Sequence, residues 1–199
     1  MPLTQLTPAY NPDNVLTGQM SLYYYSLTTE DPTLPADTLA TGTAWPDPWI
    51  PVGATEAGST LAVKRTTDSI TIEEQITDVD QHTKSMMVSI DLELSEDTFQ
   101  AMQLAFGGAS VTATAAGASQ VGKNALTLNT ALTYYVVGFE SINQFGFWRR
   151  CVIPKCVSIA NTKTAYQRSK KQRTYTVSIN NLCPPEAILY EEMVAVATG

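Results

Sequence analysis

The chain has 199 residues, 44% hydrophobic and 16% charged, an ordinary globular composition that supplies enough apolar side chain for a core. A net charge of −7 argues against a general phosphate binder, and no window approaches the roughly 20 apolar residues of a membrane span. Length predicts a single domain over 1–199, with a proline-rich N-terminal arm or loop region over 1–51.

The opening MPLTQLTPAYNPDN lacks a basic and then an apolar stretch, so it does not read as a secretory signal and synthesis in a cytoplasm is expected. Three cysteines, Cys151, Cys156 and Cys183, cannot all pair, which fits reduced thiols. Eight of the eleven prolines fall within the first 51 residues, so most of that region is expected as loop, arm or sheet edge. One strand interrupts it, Gln19 to Thr28. Tyr24 must point away from Tyr23 and Tyr25, so both faces of this strand need cover, from a neighbouring subunit or from this chain's own sheet and loop. Glu30 to Pro51 reads as a long surface loop, with Trp45 and Trp49 exposed.

Two long strand-like runs follow. In Ser59 to Gln75, Leu61 and Val63 hold odd positions, and Ile70, Ile72 and Ile76 even ones. The change of phase predicts a bulge or bend near Thr66–Ser69. In Lys84 to Leu94, Met86, Val88, Ile90, Leu92 and Leu94 alternate with Ser89, Asp91 and Glu93. Ile70, Ile72, Met86, Val88, Ile90 and Leu92 are expected to face a helix and a second sheet. That helix is predicted over 95–106, capped by Ser95, with Phe99, Met102 and Phe106 on one face and Gly107-Gly108 as its stop.

The segment 49–108 resembles the central part of siphophage major tail tube proteins. The features are an aromatic (Trp49), a Gly-x-Thr-x-x-Gly turn (Gly53, Thr55, Gly58) and an acidic loop (Asp78, Asp80). A second alternating strand then ends in the Ser95–Thr98 helix start and Gly-Gly. The resemblance implies a non-enzymatic structural virion protein that forms hexameric rings stacked into a conduit for viral DNA. Its partners would be other copies and further tail proteins (tape measure, terminator, distal tail), and its place the virion tail. DNA would pass without specific binding, and no cofactor or membrane is implied. On this reading Thr71, Glu73, Gln75, Ser89, Asp91 and Glu93 line the lumen; the plainer alternative is an outer solvated face.

Beyond Gly108 strand texture returns, in Val111–Ala116, Ala125–Asn129, Ala131–Glu140, Phe147–Ile159, Thr174–Asn180 and Ala187–Val196. Strands about every ten residues favour a mainly β fold, an antiparallel sandwich or half-barrel with one short α-helix. Gly117 to Lys123 matches the phosphate-loop spacing, but Asn124 replaces the required Ser or Thr and the sequel reads as strand, so nucleotide binding is not expected. His82, the only histidine, reads as a loop residue without a nucleophile partner. Cys151 and Cys156 would face opposite ways on an unbroken strand, and with one histidine zinc is not expected. Glu73, Glu74, Asp78 and Asp80 could gather calcium but lack an EF-hand series.

Charge is unevenly placed. Residues 1–148 carry four Lys/Arg against sixteen acids, and residues 149–199 eight against three. The excess of base concentrates in Lys163, Arg168, Lys170, Lys171 and Arg173. Three readings are open for this loop: solvated, matched to an acidic surface on a neighbouring copy, or bound to nucleic acid. Three roles are open for the chain: tail tube subunit, terminator or baseplate ring protein of related fold, and monomeric carbohydrate-binding β module.

Overall fold

A computed structural model describes residues 20–28, 31–37, 39, 42–70, 80–142, 148–159, 162 and 174–193. The order is β1 (Met20–Ser26), β2 (Ile50–Pro51), β3 (Thr55–Ile70), β4 (Asp80–Leu94), α1 (Phe99–Phe106), β5 (Ala109–Thr114), β6 (Lys123–Leu128), β7 (Tyr134–Ile142), β8 (Trp148–Ser158), β9 (Tyr175–Asn181) and β10 (Leu189–Met193). The fold is mainly antiparallel β with one short helix. One sheet runs β2-β1-β7-β8-β9-β4-β3, with β10 also on β8, and β5 and β6 form a separate hairpin.

The large sheet curls until its ends approach. Ser59 of β3 lies 3.7 Å from the Met20 sulfur of β1, although these strands sit near opposite ends of the strand order. Three residues, Val52 to Ala54, connect β2 to β3. They are held by Val52 N–H donating to Leu22 O at 2.9 Å and Ala54 N–H donating to Glu96 Oε1 at 2.9 Å. No ladder joins β2 to β3, so the sheet is a half-barrel.

Inside the curl, Leu22 and Tyr24 (β1), Tyr135, Val137 and Phe139 (β7), Cys151, Ile153 and Cys156 (β8), Tyr175, Val177 and Ile179 (β9) and Val88 to Leu94 (β4) form one core. The helix closes it with Ala101, Leu104 and Ala105. That face differs from the expected Phe99, Met102 and Phe106; Phe106 is exposed at its end. The helix also begins later than expected. Thr98, not Ser95, is the N-cap, its hydroxyl accepting from Ala101 N–H at 3.1 Å. Ser95 and Glu96 instead bind Ala54 and so tie the approach to α1 to the start of β3. Gly107 ends the helix at φ 65°, as its sequence position predicted.

The outer face of the sheet is covered in part by described residues of the loop before β2, among them Leu39, Trp45 and Trp49. Trp45 and Trp49 are buried there against Tyr25, Val136 and Val152, and Trp45 stacks on Tyr23 with centroids 4.8 Å apart. The three tyrosines of β1 therefore find cover on both faces within one chain. A side chain at Gly138 would collide with the Trp45 ring, so glycine makes this approach possible. Beneath the same ring lies a buried ion pair: Arg150 Nε and Nη2 each donate to Glu140 Oε1 at 3.3 Å, and the guanidinium sits 5.6 Å from the Trp45 centroid.

Two bulges reset the side-chain phase. Between the Tyr135–Cys156 and Val137–Ile153 pairs, β8 places two residues, Pro154 and Lys155, opposite the single Val136 of β7. Cys151 and Cys156, five apart, consequently share the inner core. The same bulge divides one edge of β8: residues 148–152 pair with β10 and 156–158 with β9. The bulge expected near Thr66–Ser69 exists between Thr66 and Thr67, but the extra residue is Lys84, on the partner strand. The phase of β3 therefore does not flip, and Ile70, expected in the core, is exposed. Ile72 lies outside the described residues.

Candidate assembly surface

The β3–β4 hairpin is much longer than the body it springs from. β9 pairs with β4 only from Ser89 to Leu94. At Val88 the backbone N–H donates instead to Asn181 Oδ1 at 2.6 Å. Beyond that point, residues 80–87 have β3 on one side and no strand on the other among the described residues, while β3 has β4 as its one strand partner throughout. The distal ribbon is about 27 Å long at roughly 3.4 Å per residue.

Its composition explains why it leaves the core. Asp80, Gln81, His82, Thr83, Lys84 and Ser85 are polar and exposed, so no apolar face remains to fold back. On the facing strand Ile70 is exposed, as is Met87 on β4, and Leu61 and Val63, opposite Ile90 and Val88 where the ribbon joins the body, are exposed too. The Lys84–Asp68 contact at 3.3 Å is solvent-exposed and contributes little. A two-stranded ribbon of this kind is marginal in water unless something covers it.

The polar side of β4 continues onto the body. Ser89, Asp91 and Glu93 stand opposite Asn180, Ser178 and Thr176 on β9. Ser178 Oγ donates to Asp91 at 2.6 Å. These side chains occupy the face turned away from the core, with Asp91 and Glu93 exposed. Thr71, Glu73 and Gln75, expected on the same wall, lie outside the described residues. So does every member of the basic group Lys163, Arg168, Lys170, Lys171 and Arg173, and so do Glu74 and Asp78 of the acidic loop.

The chemical candidates resolve differently. Gly117 and Gln120 exchange backbone hydrogen bonds in a hairpin turn, and Lys123 opens β6, so no helix N-terminus meets the phosphate-loop spacing. His82 is in strand β4 rather than a loop, paired opposite Asp68 and exposed. Burial pushes the Cys151 thiol up to about 12 and raises Cys156 as well, so neither is a ready nucleophile. Burial likewise raises Tyr24, helped by its neighbour Tyr135, and pushes Tyr135 up to about 12 against a Thr133 hydrogen bond. Among the described residues no three His, Cys, Asp or Glu gather as a metal site, and no helix is long and apolar enough to cross a membrane.

Sequence reasoning missed the Glu140–Arg150 pair and the Asn181 cap. The first had a signal: the two residues stand on consecutive strand-like runs and face each other directly across the β7–β8 ladder. The second depends on where β9 ends, which no local pattern marks.

No family model and no curated protein matches the chain. Among solved structures, it is similar to a chain in the cryo-EM structure of the anti-feeding prophage baseplate, 6-fold symmetrised. That likeness covers 92% of this chain and 97% of that chain, at 7% identity and a TM-score of 0.46. A likeness of that degree assigns no role.

Proposed function

We propose that this chain is a structural subunit of a phage-type tail, which assembles head to tail into closed rings that stack as a conduit for viral DNA. The observation that supports this reading most is the β3–β4 ribbon, which leaves the core with a free edge and exposed Leu61, Val63 and Met87. Such an edge invites pairing with another chain, and a closed ring removes it. The sequence resemblance over 49–108 points the same way. The carbohydrate-binding reading loses its support, because Trp45 and Trp49 are buried under the loop rather than displayed.

In such a ring the outward face of β4 and β9 forms the inner wall, with Ser89, Asp91 and Glu93 towards the lumen. Carboxylates there repel phosphate, so a duplex slides without adsorbing. Asp91→Lys with Glu93→Lys leaves the fold intact, and slows DNA passage and lowers infectivity. Unchanged infectivity places these acids on an outer solvated face. Electron microscopy of the purified protein tests the assembly itself. Open-ended tubes are expected; single rings indicate a terminator or baseplate role, and a persistent monomer defeats the proposal.

A further inference from the structure

The β5–β6 hairpin is amphipathic, and most of its apolar side is uncovered. Its register puts Ala109 with Leu128, Val111 with Leu126 and Ala113 with Asn124 on one face. Ser110 with Thr127, Thr112 with Ala125 and Thr114 with Lys123 share the other. The apolar face is buried at its root, at Ala109, whereas Val111 and Leu128 are exposed. Neither outer edge of this two-stranded sheet has a strand partner among the described residues. A hairpin with so little cover is marginal in water by itself. It is also nearly free of charge. Between Asp97 and Glu140 the one charged residue is Lys123, which is exposed and joins no ion pair among the described residues.

Strand β10 carries the matching edge. It pairs with β8 on one side and with no described strand on the other. Tyr190 stands opposite Cys151, which puts it on the core side of the sheet, yet it is 56% exposed. Glu191 stands opposite Arg150 on the other side, where Asp37, Arg150, Glu191 and Glu192 line a cleft of about 420 Å³. Arg150 is engaged by Glu140 and Arg149 by Glu192, so four carboxylates surround two guanidiniums and the cleft favours a further cation. The hairpin of the same copy is rooted far from it. Asn129 and Thr133 N–H donate to Gly108 O and Gly107 O, and Gly107 lies against Ser158, the last residue of β8. From Arg150 to Ser158 is about 25 Å along β8.

We propose that the β5–β6 hairpin of one copy adds to the open edge of β10 on the next, with Lys123 in the acidic cleft. This deepens the ring-subunit reading and rests on it. The alternation of the two partners agrees. An added hairpin that sets Lys123 beside Glu191 turns Val111, Leu126 and Leu128 to the other face, beside Tyr190. Strand addition satisfies two open edges at once, and the lysine fixes direction and partner. The contact joins two different surfaces, so it propagates head to tail rather than stopping at a symmetric dimer.

Zero-length cross-linking of the assembled native protein tests the position. Carbodiimide couples a lysine to a carboxylate only where the two touch. In an assembly of mixed isotope-labelled and unlabelled copies, mass spectrometry should find Lys123 joined to Asp37, Glu191 or Glu192 of a different copy. A charge swap tests the energetics. Lys123→Glu should raise the concentration needed for assembly about tenfold or more, read by sedimentation, with an unchanged circular dichroism spectrum. Adding Asp37→Lys to the same chain should recover most of that loss, because the exchanged charges attract again. If the native protein assembles without such a cross-link, or if Lys123→Glu assembles like the parent, the contact is wrong while the ring reading stands. If the parent stays monomeric at every concentration, the ring reading fails and this contact with it.

Discussion

Strand β4 lives in two environments. From Val88 to Leu94 it runs between β3 and β9, and Val88, Ile90, Leu92 and Leu94 are all buried. From Asp80 to Met87 it has β3 alone, and none of its residues is buried. The backbone makes the same antiparallel ladder in both halves. The β3 ladder therefore does not mark the boundary; it falls where the β9 ladder and apolar burial both end. The body is stable on its own account, whereas the ribbon owes its order to a ladder that water competes for.

Alkaline pH should break the body as a whole. Cys151 and Tyr135 are both held near 12, against 9.0 and 10.0 for free thiols and phenols. Each keeps its proton to higher pH in the fold than in the unfolded chain. Their contribution to stability is full below about pH 9 and is lost as pH rises towards 12. Thermal unfolding followed between pH 8 and 11.5 should show a falling midpoint above pH 9.

Next in size is the buried ion pair. Glu140→Ala strands Arg150, whose next carboxylate, Glu191, is 4.0 Å away. The expected loss is about 3–5 kcal/mol in denaturant unfolding. Ile90→Ala removes a fully buried side chain and should cost on the order of 2–5 kcal/mol. Gly138→Ala pushes the Trp45 ring outward, at about 1–3 kcal/mol, with a shift in tryptophan emission. Ile70→Ala, on the ribbon opposite Asp80 and 45% exposed, should change the monomer's stability by less than about 0.5 kcal/mol. A loss at Ile70 as large as that at Ile90 would erase the distinction between the two halves.

Much of the body was legible in sequence because alternation and burial coincide there. The run Val88–Leu94 and the glycine stop at Gly107 followed from pattern alone. The helix start did not, since Ser95 and Thr98 are both good caps and the choice turned on Ser95 and Glu96 being drawn to Ala54. Ile70 misled because its phase was read from one strand, while the extra residue lay across the ladder at Lys84. Trp45 and Trp49 misled because a proline-rich segment looked like surface; the glycine at 138 that receives Trp45 lies more than ninety residues away in sequence. Of the candidate surface, Ser89, Asp91 and Glu93 occupy the polar face that alternation gave them, and the burial limit at Val88 was not readable.

Asn181 fixes that limit. Its side chain accepts from Val88 N–H at 2.6 Å and donates to Cys183 O at 2.8 Å, so it is held at both ends. A ribbon clamped at one end is a cantilever, and Asn181 is its fulcrum. A tilt of about 10° there carries Asp80 through about 5 Å, given a lever of about 27 Å. Any rotation at the root is magnified in proportion to the lever, so the geometry at Asn181 sets where the tip stands.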